Sequence, residues 1–239
     1  MSYACHYDTL ILRTIDVGEA DRFCILFTRE RGRIAARARG VRRPHSRMGS
    51  ALLPLHRALV SVKELSGGGL VTAALPMAGG IPSGDLSAFF RAECGIEILL
   101  ALLHDEQPLP DLFDATAAFL TRSSEGDHII VAFALRMLHI LGLLPDTTHA
   151  HPSKFSLQEQ AFIDASRHFP LHPVPMVLAL EHVRSFCAHM LKEQLSYPLR
   201  GEFFSESASV VSYRKARDER PEPYSREHLL DNYLPVERM

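Results

Sequence analysis

The sequence predicts an α+β fold, an N-terminal five-stranded β-barrel followed by an α-helical bundle. Three observations carry that expectation. Short runs with a period of two, rich in β-branched residues and separated by turn residues, fill roughly the first 75 positions. A Gly- and Pro-rich stretch, Pro76-Met77-Ala78-Gly79-Gly80-Ile81-Pro82-Ser83-Gly84, then interrupts the pattern. Beyond it, apolar residues recur at helical spacing.

In chain order, the first strand is Thr9 to Ile15, closed by Asp16-Val17-Gly18-Glu19. Arg22 to Thr28 alternates next, with Phe23, Ile25 and Phe27 expected on the inner face. Arg29-Glu30-Arg31-Gly32 is a turn of hairpin length, and Arg33 to Gly40 is the third strand. Leu55 to Leu65 is the fourth, with Ala58, Val60 and Val62 inward; Ser66-Gly67-Gly68-Gly69 turns the chain into a fifth, Leu70 to Leu75. Five short strands of this kind form most economically the barrel of the oligonucleotide-binding (OB) type.

After the linker, Ser83 or Asp85 can cap a helix that carries Leu86, Phe89, Phe90, Cys94, Ile96, Ile98, Leu99 and Leu103. Further helices are expected over Asp111 to Thr121, Asp127 to Leu144 (ended by Gly142 and Pro145), Leu157 to Arg167 and Val174 to Leu195. Residues 205–239 lose the apolar rhythm and read as a flexible or partly ordered tail. The expected organisation is thus an OB-fold nucleic-acid-binding domain at 1–78, a helical protein-interaction domain at 85–204, and the tail.

Composition narrows the class. With 46% hydrophobic and 23% charged residues, the 239-residue chain has enough apolar material for a real core. Four scattered cysteines without a CxxC pair fit a reducing cytosol better than a disulfide framework. The first residues lack the features of a signal peptide, and no apolar run approaches the roughly 18 residues of a membrane span.

Charge is distributed unevenly. Eight arginines lie between Arg29 and Arg47, with Glu30 the one acid, so this stretch carries +7 in a chain whose total is −2. Clustered cations of this density suit a polyanion, because phosphate binding is driven by the release of condensed counterions. A solvated basic face is the bland alternative. The pattern favours the former: Arg33, Arg37 and Arg39 share one face of the third strand, while Ile34, Ala36 and Ala38 share the other. Arg42, Arg43 and Arg47 continue the stripe into a loop opened by Pro44 and expected to be mobile. These six arginines are the candidate nucleic-acid contacts. The row contains no aromatic residue for base stacking, with Tyr7, His45 and His56 the nearest candidates, so backbone contact with little sequence preference is expected.

Other chemistries are poorly supplied. Ser46 beside His45 lacks an orienting acid, Ser66-Gly67-Gly68-Gly69 lacks the Gly-Lys-Ser/Thr ending of a P-loop, and Asp105-Glu106 is an adjacent pair that cannot converge on one substrate atom. His149, His151, His168 and His172 could in principle ligate zinc, although an all-His structural site is unusual. Neither catalysis nor a metal is expected.

Three strings carry a resemblance. They are Val17-Gly18-Glu19-Ala20-Asp21-Arg22, Leu26-Phe27-Thr28-Arg29-Glu30-Arg31-Gly32 and, above all, Ala38-Arg39-Gly40-Val41-Arg42-Arg43-Pro44-His45-Ser46-Arg47. Through them residues 7–75, roughly, resemble the RecO family of bacterial recombination mediators. Leu141-Gly142-Leu143-Leu144-Pro145 is similar to that family's Leu-Gly-x-x-Pro helix end, and Tyr197 to Phe204 is a fainter echo. The resemblance implies an OB domain followed by a helical domain, binding of ssDNA and dsDNA, and annealing of complementary strands. It also implies help in loading RecA onto DNA coated by single-strand-binding protein (SSB), together with RecR, and no enzymatic site. Many relatives carry a four-cysteine zinc site after the Leu-Gly-x-x-Pro helix; here Asp146 to Phe155 has no cysteine, so no cofactor is expected. The acidic SSB C-terminal tail would need an apolar groove with a cation at its rim, for which Arg122, Arg136, Arg184, Lys192 and Arg200 are candidates. By the same resemblance the protein is cytoplasmic and nucleoid-associated. The competing readings are an RNA-binding OB protein and a helical adaptor without a primary nucleic-acid role.

Overall fold

The computed structural model describes residues 3–82, 84–145, 155–175 and 180–194. Outside the described residues lie the tail at 205–239, Tyr197 to Phe204 with Arg200, His149 and His151, Ser83, and Val177 of the last expected helix. The described residues divide into two compact units. The first holds the described residues up to Gly80 together with Leu103–Phe113; the second holds Ile81–Leu102 and the described residues from Asp114 onward.

The first unit is a closed barrel of five strands: β1 (Ala4–Val17), β2 (Asp21–Thr28), β3 (Gly32–Ala38), β4 (His56–Leu65) and β5 (Gly68–Gly80). Their order around the barrel is β1-β2-β3-β5-β4, with β3 and β5 parallel and every other pair antiparallel. This is the OB arrangement that the turn pattern predicts. Closure depends on Gly69, which sits opposite Ala36 at the β3–β5 seam. A Cβ at Gly69 would stand 2.9 Å from the Ala35 carbonyl oxygen and 3.2 Å from the Ala36 and Val62 side chains.

The barrel interior contains Ile11, Cys24, Leu26, Ile34, Ala36, Ala38, Ala58, Val60, Val62, Val71 and Ala74. Val41, Ala51 and Leu52 from the β3–β4 connection complete the same cluster. The alternation of β3 is as its sequence predicts, with Ile34, Ala36 and Ala38 buried and the residues between them half-buried. The facing of β2 is reversed. Cys24 and Leu26 point into the barrel, and Phe27 lies outside it, its ring 5.6 Å from that of Phe113. Every residue from Phe23 to Thr28 is buried, so apolarity on this strand does not mark the inner face. Strand β5 also runs further than expected, through Pro76 to Gly80 in the stretch that reads as linker, pairing Pro76 with Ala58 and Gly80 with His56.

Leu103–Phe113 covers one flank of the barrel. The Glu106 amide donates to the Arg33 carbonyl at 2.9 Å, and Arg33 and Asp105 form a parallel bridge. The first part of β3 lacks β5 beside it, because β3–β5 pairing spans only Ala36 to Ala38. The crossing segment therefore occupies an otherwise open strand edge. Its approach is so close that a Cβ on Gly32 would fall 2.0 Å from the Gln107 carbonyl oxygen.

The second unit is helical among its described residues: α1 (Leu86–Leu102), the continuation of α2 (Pro110–Arg122), a 3₁₀ turn (Ser123–Glu125), α3 (Asp127–Ile140), α4 (Leu157–Arg167) and α5 (Glu181–Gln194). Asp85 caps α1, its carboxylate accepting from the Ala88 amide at 3.0 Å. A capping box opens α4, in which Ser156 and Glu159 satisfy each other's backbone amides. Helix α3 stops at Ile140 rather than Leu144: the Gly142, Leu143 and Leu144 amides turn back onto His139 and Leu138, and Gly142 takes the left-handed conformation that such an ending favours. The last described helix is Glu181–Gln194, and Val174, expected as its first residue, is not helical because Pro175 disfavours helical backbone at the residue before it. In the core, the Phe119 and Phe133 rings stack 4.4 Å apart and are fully buried.

Candidate nucleic-acid interface

The candidate interface is built on the connection from β3 to β4. Its backbone is tied down at intervals. The Arg42 amide donates to Ala20 O at 2.9 Å, Ser46 to Arg43 O at 2.9 Å, Leu52 to Met48 O at 3.1 Å and Leu55 to Ile11 O at 2.8 Å. Val41, Ala51, Leu52 and Leu55 are buried, and Met48 packs against the barrel core. The segment expected as a mobile loop is thus a plug anchored in the barrel, with Arg42, Arg43, His45 and Arg47 left on its exposed side.

The β1–β2 turn holds this plug from below. Asp21 accepts from the Gly40 amide at 2.7 Å through one carboxylate oxygen, and from Arg37 Nε at 3.0 Å and Nη2 at 2.8 Å through the other. The Gly40 amide, followed by the Arg37 and Arg39 charges, holds the Asp21 carboxyl below the usual aspartate range despite its partial burial. Its stabilising contribution is complete above the ordinary aspartate pKa and drains away as pH falls through the depressed folded value. Asp16 divides its oxygens between Arg22 (3.1 Å) and Arg42 (3.2 Å). Arg42 also donates to Gly18 O at 3.0 Å, and Arg22 to Leu52 O at 3.1 Å.

The six predicted arginines therefore differ in what they already hold. Arg33 is bound to Asp105 at 2.6 Å and its side chain is 11% exposed. Arg37 holds Asp21, and Arg42 holds Asp16. Arg39, Arg43 and Arg47 are exposed and form no ion pair among the described residues. At the other end of β3, Arg31 bonds Glu64 and, at 2.5 Å, Glu106. The acidic pair at 105–106, which sequence reasoning set aside as chemically idle, thus holds the guanidinium groups at the start of the stripe. The carboxylates of Asp16 and Asp21 are likewise absent from the sequence-predicted site. Asp21 has one sequence signal, its position in the Val17–Arg22 string, which carries no information about partners on β3, and Asp16 stands just before that string.

Aromatic groups contribute little here. Tyr7 is half-buried against the barrel core and hydrogen-bonds Arg31; burial, outweighing that bond, raises its pKa. His56 is turned to its own chain, Nδ1 lying 2.9 Å from Pro54 O.

In the helical unit the candidate rim cations also separate. Arg122 makes two hydrogen bonds of 2.8 Å to Glu125 and lies over the Phe169 ring, while Arg184 is paired with Glu181. Lys192 is exposed. Arg136 donates to Arg167 O through Nη1, but its Nε is buried without a hydrogen-bond partner among the described residues. Around it, His139 is held below the usual histidine range, first by desolvation and then by Arg136, Arg167 and His168. The His168 and His172 rings meet edge to face at 5.4 Å. Among the described residues, no group of three or more His, Cys, Asp or Glu side chains is arranged to hold a metal ion, and no helix is long and apolar enough to cross a membrane.

Two family models match the chain. One, described as recombination protein O N-terminal, covers residues 1–74; the other, recombination protein O C-terminal, covers residues 83–194. Similar curated proteins include the DNA repair protein RecO of Myxococcus xanthus, 34% identical over 143 residues, which is 58% of this chain and 59% of that protein. The DNA repair protein RecO of Anaeromyxobacter sp. strain K is 35% identical over 142 residues, 57% of this chain and 56% of its own length. That of Heliobacterium modesticaldum is 36% identical over 140 residues, 57% of this chain and 51% of its own. The chain thus spans somewhat over half the length of these relatives.

Proposed function

The chain belongs to the RecO family, and on that premise we propose that it is a non-enzymatic DNA-binding mediator of recombinational repair. One observation carries the reading: Arg39, Arg43 and Arg47 are exposed and form no ion pair among the described residues, on a plug whose backbone is fixed to the barrel. Free guanidinium groups on a rigid base suit the phosphates of ssDNA or dsDNA and read no base. Arg42 joins them by exchanging Asp16 for phosphate, Arg37 borders the track, and Arg33 lies behind Asp105. A cationic track that neutralises two strands at once lowers their repulsion, which is the physical basis of strand annealing.

The helical unit supplies the protein-binding half of the proposal. Arg136, half-buried on α3, is the rim cation proposed to take a carboxylate of the acidic SSB tail. Handover of SSB-coated DNA to RecA, in company with RecR, then follows as the role of the whole protein in the cytoplasm and nucleoid. Annealing of complementary strands coated by SSB tests the reading. The expected result is faster annealing with the protein than without it, and slower annealing with Arg39→Ala/Arg43→Ala/Arg47→Ala. Indifference to the protein, or retention by RNA or heparin in preference to DNA under competition, overturns it.

A further inference from the structure

A carboxylate at the base of a phosphate-binding surface works against that surface by simple charge, since it repels the ligand. Two are present here, and their geometry differs in kind. Asp16 touches, among the described residues, only side chains, the guanidinium groups of Arg22 and Arg42. Asp21 reaches the main chain: one oxygen takes the Gly40 amide at 2.7 Å, at the point where β3 gives way to the plug. The other oxygen takes Arg37. Gly40 adopts φ +65, a conformation open to few other residues, and it opens the turn that leads from exposed Arg39 to exposed Arg42, Arg43 and Arg47. The Arg43 amide donates back to Gly40 O at 3.2 Å, so a shift of Gly40 is passed to the arginines beyond it.

We propose that Asp21 is the positioning residue of the DNA-binding surface: its carboxylate clamps the Gly40 turn and so sets where the exposed arginines stand. Asp21 itself touches no phosphate. The inference rests on the proposed DNA-binding reading and adds the cause of its geometry. It has a counterintuitive consequence, because removing this negative charge weakens binding to a polyanion. Asp16, which holds only guanidinium groups, acts in the opposite sense as a competitor for Arg42.

The test is binding of a fluorescent single-stranded oligonucleotide by the full chain across a series of salt concentrations, with folding of each variant checked by circular dichroism at the same temperature. Asp21→Ala is expected to bind about tenfold more weakly, the scale of one lost charged hydrogen bond. Its log affinity is expected to fall less steeply with log salt, by about 0.7 for each phosphate no longer met. Asp21→Asn keeps an acceptor for the Gly40 amide and is expected to fall between Asp21→Ala and the parent; it decides the matter if Asp21→Ala does not fold. Asp16→Asn is expected to bind at least as tightly as the parent. Equal or tighter binding by both Asp21 variants overturns the proposal, as does the same loss in Asp16→Asn. Arg39→Ala/Arg43→Ala/Arg47→Ala, measured in parallel, separates the two levels. If that variant keeps the parent's salt slope, the DNA-binding reading itself fails. If it loses slope while the Asp21 variants do not, only the positioning role fails.

Discussion

Gly32→Ala isolates the seam between the barrel and the segment that crosses it. Two penalties act at this position. Gly32 has φ +75, where a Cβ costs about 1–2 kcal/mol. The same Cβ would lie 2.0 Å from the Gln107 carbonyl oxygen, a backbone atom that cannot swing aside. Restoring van der Waals distance requires Leu103–Phe113 to move by more than 1 Å, which endangers the 2.9 Å Glu106–Arg33 backbone bond and the Arg31–Glu106 pair. That adds about 1–3 kcal/mol, the usual range for overpacking. The smaller freedom of Ala in the unfolded chain offsets only ~0.4–1 kcal/mol of these penalties. The expected total is about 2–4 kcal/mol. Gly18→Ala is the control: φ there is +58 but nothing lies within 4 Å, so only the conformational penalty, ~1–2 kcal/mol, applies. Urea unfolding followed by circular dichroism, with hydrogen exchange at the Glu106 amide, measures both. A Gly32→Ala protein no less stable than Gly18→Ala, with Glu106 still protected, would refute the close crossing.

Two further expectations follow from burial and charge. The Cys24 thiol, fully buried in the barrel and pushed up to about 12 chiefly by desolvation, is expected to resist a thiol reagent at pH 8 until the barrel unfolds, whereas exposed Cys5 reacts at once; mass spectrometry of the labelled peptides checks the order. In the helical unit, a carboxylate bound at Arg136 raises the depressed pKa of His139, so an acidic peptide is expected to bind more tightly as pH falls through the His139 range. Titration of the His139 ring by NMR with and without a peptide of the SSB-tail type reads this directly, and Arg136→Ala is expected to abolish the shift.

Much of the barrel was legible because its strands obey simple rules. On β3 the small residues Ala36 and Ala38 go in and the arginines go out, so the period of two identifies both faces. On β2 the rule loses its force: Phe27 is as buried as Leu26, but beneath Phe113 from a distant part of the chain. Apolarity reports burial, and it reports the side of a sheet only where the other side meets water. The arginine stripe was equally legible as a row of charges, whereas its internal partners were not. Asp21, Glu64, Asp105 and Glu106 reach the stripe through tertiary structure, and no sequence period links them to Arg31, Arg33 or Arg37. The plug between Val41 and Leu55 was hidden for a related reason. Pro44, His45 and Ser46 signal a loop, but the anchoring depends on which barrel end receives Val41, Ala51 and Leu52.

The central claim is that DNA is held by phosphate contacts from the exposed arginines of the plug. The most direct measurement is the slope of log affinity against log salt for a single-stranded oligonucleotide, compared between the parent and Arg39→Ala/Arg43→Ala/Arg47→Ala. Three phosphate contacts predict a slope shallower by about 2 in the variant, at ~0.7 per phosphate, with similar losses for unrelated oligonucleotide sequences. An unchanged slope in a folded variant would contradict the claim.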